Sequence, residues 1–449
     1  MRRLLPAVLF AVLSLIFIMV LRASLPKYAG MLLFLFLYLL LDGYLWLSVR
    51  KMTRDKGRSV MIPMGIIYWL PFALAVALTA TSLVIPFSDW SIPVRTNLLN
   101  FILICFISKF LPLDALILAD FIRIVQRLFR AISGSGNLRG KISRHRPLLL
   151  AGWAAGAVMF MILAAGTIFW QYDFRVKSCV IALKDLPPSF EGFRIVQFSD
   201  VHLGSWSSKA KLKEAMEMIN DARPDVIFFT GDMFNFSTDE SAGFEKILKT
   251  IRAPHGVYAI MGNHDYGDYQ SWASEEKKKQ NLLDLYAFYD NLGWKLLRNS
   301  NDVIRLDADS IAVIGVENWG ATRRFQRLGD IGTAQQGTEN MAVRLLLSHD
   351  PSHWDSIISK KFPDIDVTFS GHTHGGQIGI DCGEVMWSPV AWSSHRWSGL
   401  YTESHHDTIL YLYINRGLGS IGYAGRVGIL PEITLIFLTK DKSITSSAH

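Results

Sequence analysis

The chain has 449 residues, of which 50% are hydrophobic and 19% charged, and its formal net charge is +7. Three cysteines exclude a disulfide-rich scaffold, and no CxxC motif is present. So apolar a composition excludes an ordinary soluble protein; the excess lies in residues 1–170, while 171–449 has the mixed composition of a globular domain large enough for one core.

Five apolar stretches stand in the first part: Leu4 to Leu21, Ala29 to Val49, Val60 to Ile85, Leu98 to about Ile122, and Pro147 to Trp170. Each approaches or exceeds the roughly 20 residues that a spanning helix needs. The first follows Arg2 and Arg3 and reads as an uncleaved helix, because no clear small-residue cleavage site follows it. The fourth is interrupted by Lys109, Pro112, Asp114 and Asp120, as in a span with a polar inner face or a broken helix. Those charges could mark an ion path, but charges turned into a helix bundle or toward the interface are the plainer reading.

Basic residues set the expected orientation. Arg50, Lys51, Arg54, Lys56 and Arg58 follow the second stretch; Arg123, Arg127, Arg130, Arg139, Lys141, Arg144 and Arg146 separate the fourth from the fifth. Lys and Arg accumulate on the cytoplasmic side, so both loops and the N-terminus belong inside. The fifth stretch then carries residues 171–449 out, as the extracytoplasmic part of an integral cytoplasmic-membrane protein. The same clustering makes the positive charge a topology signal before a nucleic-acid one.

From residue 171 onward, short apolar runs alternate with helical patterns, as in α/β architecture. Strands are expected at 193–198, 226–230, 257–261, 311–316, 343–347, 367–369, 409–414 and 433–438. Helices are expected at 207–222, with Leu212, Ala215, Met216 and Ile219 on one face, and at 275–292. The strands are too many for one doubly wound sheet, which suggests two packed β-sheets.

Five of these strands end in residues able to bind metal. They lead into Asp200 and His202, into Asp232, into Asn263, His264 and Asp265, into His349, and into His372 and His374. Ligands in α/β sheets sit beyond the carboxyl ends of strands, and loops there gather distant positions. A lone strand-end His or Asp is usually structural; five clusters holding five of the twelve histidines are not explained by packing. Oxygen and imidazole ligands without thiolate suit Mn, Fe or Zn.

The order Asp-x-His, Gly-Asp, Gly-Asn-His-Asp, a single His and Gly-His-x-His resembles the calcineurin-like metallophosphoesterase superfamily. Gly371 to Gly379 (GHTHGGQIG), Asn415 to Gly419, and Arg426 with Pro431, Glu432 and Ile433 resemble its membrane-associated and exported bacterial branch. The resemblance covers roughly 180 to 440. It departs at Asn235, where many relatives carry an acidic residue. It implies an α/β fold of two packed β-sheets flanked by helices, an αββα sandwich, after a helical transmembrane region. It also implies two divalent ions: Asp200, His202 and His374 on one, Asn263, His349 and His372 on the other, and Asp232 bridging.

A water bridging two cations deprotonates near neutral pH and attacks phosphorus in line. The implied activity is hydrolysis of a phosphomonoester, phosphodiester or pyrophosphate bond. His264 is expected to protonate the leaving oxygen, with Asp265 fixing its tautomer. Arg323, Arg324, Arg396 and Arg426 are candidate substrate contacts. The aromatic residues Trp387, Trp392, Trp397 and Tyr401, with the 319–327 loop, suggest a lid for a phosphorylated lipid or envelope substrate. The alternative, a non-catalytic membrane receptor that kept the fold, predicts lost ligands, yet all seven are present. A transporter role lacks a repeat, and a nucleic-acid enzyme lacks a dense basic stripe.

Overall fold

In the computed structural model, the described residues are 29–441, apart from Arg54, Pro86, Ser88, Asp89, 134–142, Arg323, Arg324, Glu384, His406 and Asp407. The first apolar stretch, Leu4 to Leu21, lies outside them. They form two compact units: one runs through Trp90 and includes Asn97–Ile162, and the other joins Ser91–Thr96 to the residues from Leu163 onward.

The first unit is helical. The helices that make it up are α1 (Ala29–Met52), α2 (Arg58–Ser82), most of α3 (Ile92–Ser108), α4 (Phe110–Ile132) and most of α5 (Arg146–Ala165); the end of α5 and the wide turn that continues it to Trp170 belong to the second unit. Four described helical segments are long and apolar enough to cross a membrane: Ala29–Met52, Arg58–Ser82, Ile92–Ile132 and Arg146–Trp170. The interruption expected in the fourth stretch falls at Lys109, between α3 and α4. Pro112 sits in the first turn of α4, where its missing N–H is not needed. Two of the charges noted in the fourth stretch are paired: Lys109 Nζ lies 2.8 Å from both oxygens of Asp42 and 4.5 Å from the Tyr68 ring centre. Asp120 takes Arg144 at 2.6 Å, Arg123 at 3.0 Å and the Tyr44 hydroxyl at 2.6 Å. Burying such charges is tolerable only with partners this close, and an ion path is not needed to explain them.

The second unit holds fourteen described strands: β1 (Arg175–Ala182), β2 (Arg194–Phe198), β3 (Val226–Phe229), β4 (Val257–Ala259), β5 (Lys295–Leu296), β6 (Ser300–Leu306), β7 (Asp309–Gly315), β8 (Arg344–Leu347), β9 (Val367–Ser370), β10 (Ile380–Asp381), β11 (Met386–Trp387), β12 (Gly399–His405), β13 (Thr408–Ile414) and β14 (Glu432–Thr439). Two six-stranded mixed sheets result, ordered β1-β14-β2-β3-β4-β5 and β12-β13-β9-β8-β7-β6, with β10 and β11 as a separate pair.

Alternation along each strand builds the layers. In β2 and β3, Ile195, Val226 and Phe228 point between the sheets, meeting Val313, Leu345, Leu347 and Phe369. Val196, Phe198, Ile227 and Phe229 point outward onto α6 (Lys209–Asp221) and α7 (Glu275–Leu292), through Leu212, Met216, Leu285 and Tyr289. The second sheet's outer face packs Ile314, Leu346 and Leu412 on Trp354 and Ile358. Burial on both faces is why the central strands read as unbroken apolar runs. The domain is thus the two-sheet αββα sandwich. The three cysteines are free: Cys179 is buried, Cys105 half-buried and Cys382 exposed.

Candidate metal centre

Parallel strands β2, β3 and β4 of one sheet and β8 and β9 of the other end at the same rim. The five sequence clusters leave from those ends, and two triads assemble: Asp200, His202 and His374, and Asp232, His349 and His372. Within each triad, one ligand atom per residue lies within 4.8 Å of the others. Asp232 joins the triads: its Oδ2 lies 3.2 Å from His349 Nε2 and 3.6 Å from His202 Nε2. Asn263 lies beside the second triad, its Oδ1 2.7 Å from His372 Nδ1.

The backbone is forced to present these side chains. Asp200, His202, Asp232, His372 and His374 all have positive φ, between 47° and 70°. That region costs a non-glycine residue of order 1–3 kcal/mol and marks functional loops. The loops also press together: a Cβ on Gly371 would collide with Ser199 Oγ and the Asp200 carboxylate.

The ring nitrogens turned away from the centre are tied to main-chain carbonyls: His202 Nδ1 to Phe234 at 3.2 Å, His349 Nδ1 to Thr230 at 2.7 Å, and His264 Nδ1 to Asn235 at 2.8 Å. This fixes the tautomers and leaves each Nε2 free for the centre. Burial depresses His202 to about 3 and holds His374 well below its usual value, so both offer neutral lone pairs. Burial also pushes Asp200 up to about 7. Buried carboxylate oxygens, the neutral imidazoles of His202 and His374, and His349 Nε2, which faces Asp232 without an aligned hydrogen bond and would release its proton on binding a cation, form a donor set that fits divalent ions.

Asp265 requires a correction. It does not touch the His264 ring. Its carboxylate accepts the N–H groups of Gly262, Asp232, Met233 and Phe234 at 2.8 to 3.3 Å. Four converging main-chain donors hold a carboxylate more firmly than one imidazole would, so Asp265 clamps the loop whose Phe234 and Asn235 carbonyls orient His202 and His264. That loop is held again where the Asn235 N–H donates to Glu240 at 2.6 Å, and Glu240 pairs with Arg95 at 2.5 Å.

Two arginines are corrected as substrate contacts. Arg396 pairs with Asp355 and Glu403 and lies over Trp354. Arg426 is fully buried and donates to the carbonyls of His374, Arg416, Gly417 and Gly419 at 2.6 to 3.1 Å. Both guanidinium groups are engaged by the protein itself. Arg426→Gln should lower unfolding stability by about 3 kcal/mol in thermal melts, because buried carbonyls lose their donor. Arg323 and Arg324 lie outside the described residues. Their loop does reach the centre: Phe325 stands edge-on to His372, with centroids 5.0 Å apart.

Tyr269 was not singled out from sequence. It stacks on His264 at 3.9 Å and 10°, and its hydroxyl accepts from Asn263 Nδ2 at 2.7 Å. A tyrosine five residues beyond a histidine carries no local signal. His353 is also buried: its Nδ1 meets Ser348 Oγ at 2.9 Å and its ring lies under Trp319. Burial lowers it to about 4. The unfolded chain gains that proton near pH 6.5, so the contribution is complete above 6.5 and lost as pH falls toward 4. The stability lost across that window, up to about 3 kcal/mol, should shrink in His353→Gln, as read by denaturant titration at several pH values.

Comparison with known proteins identifies the family. The family model "Calcineurin-like phosphoesterase" matches residues 193–376. "Probable Calcineurin-like phosphoesterase, transmembrane domain" matches residues 21–169. The chain is 30% identical to the uncharacterized metallophosphoesterase YkuE of Bacillus subtilis over 278 residues, covering 59% of this chain and 84% of that one. It is 27% identical to the zebrafish (Danio rerio) transmembrane protein with metallophosphoesterase domain, covering 70% of this chain and 71% of that one. It is 26% identical to the UDP-2,3-diacylglucosamine pyrophosphatase LpxG of Chlamydia trachomatis, covering 59% and 91%. With a transmembrane model and a phosphoesterase model matched in tandem on one chain, this protein belongs to the calcineurin-like phosphoesterases and is a membrane-associated metallophosphoesterase.

Proposed function

We propose that this chain hydrolyses a phosphodiester or pyrophosphate bond of a lipid-linked substrate, using two divalent cations held by seven side chains at the rim of its two sheets. The observation that carries this reading is the position of Asp232 Oδ2 between His349 Nε2 at 3.2 Å and His202 Nε2 at 3.6 Å, the place of a shared ligand. Asp200, His202 and His374 would hold one ion, and Asn263, His349 and His372 the other. When bound, the cations supply Lewis acidity and an activated water for attack on phosphorus.

The remaining work falls to the protein. The Asn235 carbonyl accepts the Nδ1 proton of His264, so the second proton of the imidazolium form sits on Nε2, from which it would pass to the leaving oxygen and leave the ring neutral. Tyr269, stacked on that ring, keeps its plane fixed. The pyrophosphatase relative and the membrane-spanning segments support a lipid-linked pyrophosphate or diester as substrate. The basic loops at 50–58 and 123–146 support an extracytoplasmic catalytic domain. A cysteine introduced near the C-terminus should be labelled by a membrane-impermeant reagent in intact cells; labelling only after lysis would reverse that orientation.

The activity is tested with purified full-length protein. After chelation it should be inert toward model phosphate mono- and diesters, and Mn, Zn or Mg should restore hydrolysis. It should then release the headgroup from a lipid pyrophosphate. Full activity in excess chelator would remove the metal pair from the mechanism.

A further inference from the structure

The stretch from Val385 to Trp392 contains no charged residue, yet much of it faces outward. Trp392 is 80% exposed, Val385 61%, and Trp387 41%; Ile380 on the neighbouring strand is 49% exposed. The Trp387 and Trp392 rings touch, with centroids 5.6 Å apart. Clustered exposed apolar groups mark a contact surface, because each Å² left in water forgoes about 25 cal/mol.

The surface is rigid at its base. Asp381 is held by Lys177 at 2.9 Å and Arg416 at 2.6 Å. Ser388 Oγ donates to the Ile378 carbonyl at 2.8 Å. Gly376, two residues beyond His374, packs so closely on this segment that a Cβ there would collide with Ser388 Oγ and press against Val390. The apolar hairpin is therefore built directly onto the loop carrying His372 and His374.

What covers it follows from the chain's own route out of the membrane. The last candidate span ends at Trp170, with Ile168 and Phe169 about 70% exposed. Beside them, the Gly166 carbonyl accepts the Arg426 N–H at 3.2 Å, and Tyr423 donates to the Leu163 carbonyl at 2.5 Å. The next residue, Val427, exchanges main-chain hydrogen bonds at 2.8 Å with Gln377 and Gly379, at the entrance to the hairpin. Short main-chain links thus join the end of a membrane span to the start of the tryptophan surface. Tryptophan is the residue favoured at the boundary of the hydrocarbon layer.

We infer that the β10–β11 hairpin and Trp392 form a membrane-contacting surface that enters the lipid headgroup layer and presents lipid-borne phosphate to the metal centre. This rests on the lipid-substrate reading above and adds the surface that would make it possible.

Cys382, exposed in the turn of this hairpin, gives a direct test. Full-length Cys105→Ala protein, in which Cys179 stays buried, is spin-labelled at Cys382 and placed in nanodiscs of phosphatidylcholine and phosphatidylglycerol. The label should collide more with oxygen than with a water-soluble nickel chelate; the accessibility of a fully hydrated label would overturn the inference. In a second arm, Trp387→Ser/Trp392→Ser protein with an unchanged melting point should lose about 10-fold in turnover of CDP-diacylglycerol in nanodiscs. It should retain kcat/KM on soluble bis-p-nitrophenyl phosphate. Equal loss on both substrates, or none on the lipid, would overturn it. A wild type that hydrolyses only the soluble ester would refute the lipid substrate, and the depth of the Cys382 label would then decide the surface alone.

Discussion

Asp232→Asn should cost about 1,000-fold or more in turnover on a model diester, equivalent to about 4 kcal/mol of transition-state stabilisation. Its Oδ1 accepts the main-chain N–H of His264 at 2.8 Å, and its Oδ2 faces His202 and His349. The amide keeps the shape but removes the charge and one of the two acceptor oxygens. Burial works against a charge here, yet the positive His349 outweighs it and holds Asp232 well below the usual carboxylate range, so the native residue is anionic at neutral pH. Metal content, read by mass spectrometry of the purified protein, should fall along with activity. Turnover like that of the wild type would show that Asp232 is not shared between two ions.

His264→Ala should behave differently. It should slow turnover about 100-fold, the lower end of what a general acid contributes, while both metals remain bound. The loss should be smaller for substrates with an acidic leaving group, such as nitrophenol, which needs no proton. Equal losses for acidic and alkyl leaving groups would make His264 a structural residue. Loss of metal with the ring would make it a ligand.

Much of the domain was legible because its central strands are buried on both faces. Val226–Phe229 and Val367–Ser370 are entirely buried, so nothing but an apolar run fits there. The strands that the pattern did not reveal lie at or beside sheet edges. Ser300–Leu306 and Gly399–His405 border the second sheet and alternate with polar residues, and Arg175–Ala182 borders the first. An edge strand has one neighbour and partial exposure, so its apolar signal is diluted by the residues that keep it soluble. At the centre, the residues that form the two triads stood out because metal chemistry restricts residue type. The arginines and Asp265 misled for the opposite reason. A guanidinium or carboxylate reads the same whether it meets a ligand or a main-chain group, and only the fold shows Arg426 spent on four carbonyls and Asp265 on four N–H groups.

The five left-handed ligand positions pull in two directions. Each is a conformation glycine adopts freely and aspartate or histidine resists. Without cations, exchanging such a ligand for glycine would relax its loop even as it ended the chemistry. The gain in backbone freedom would be set against lost packing and lost acceptors, because Asp200 and Asp232 also receive the main-chain N–H groups of His372 and His264, so these two strained residues are tied into their loops as well as aimed at the centre.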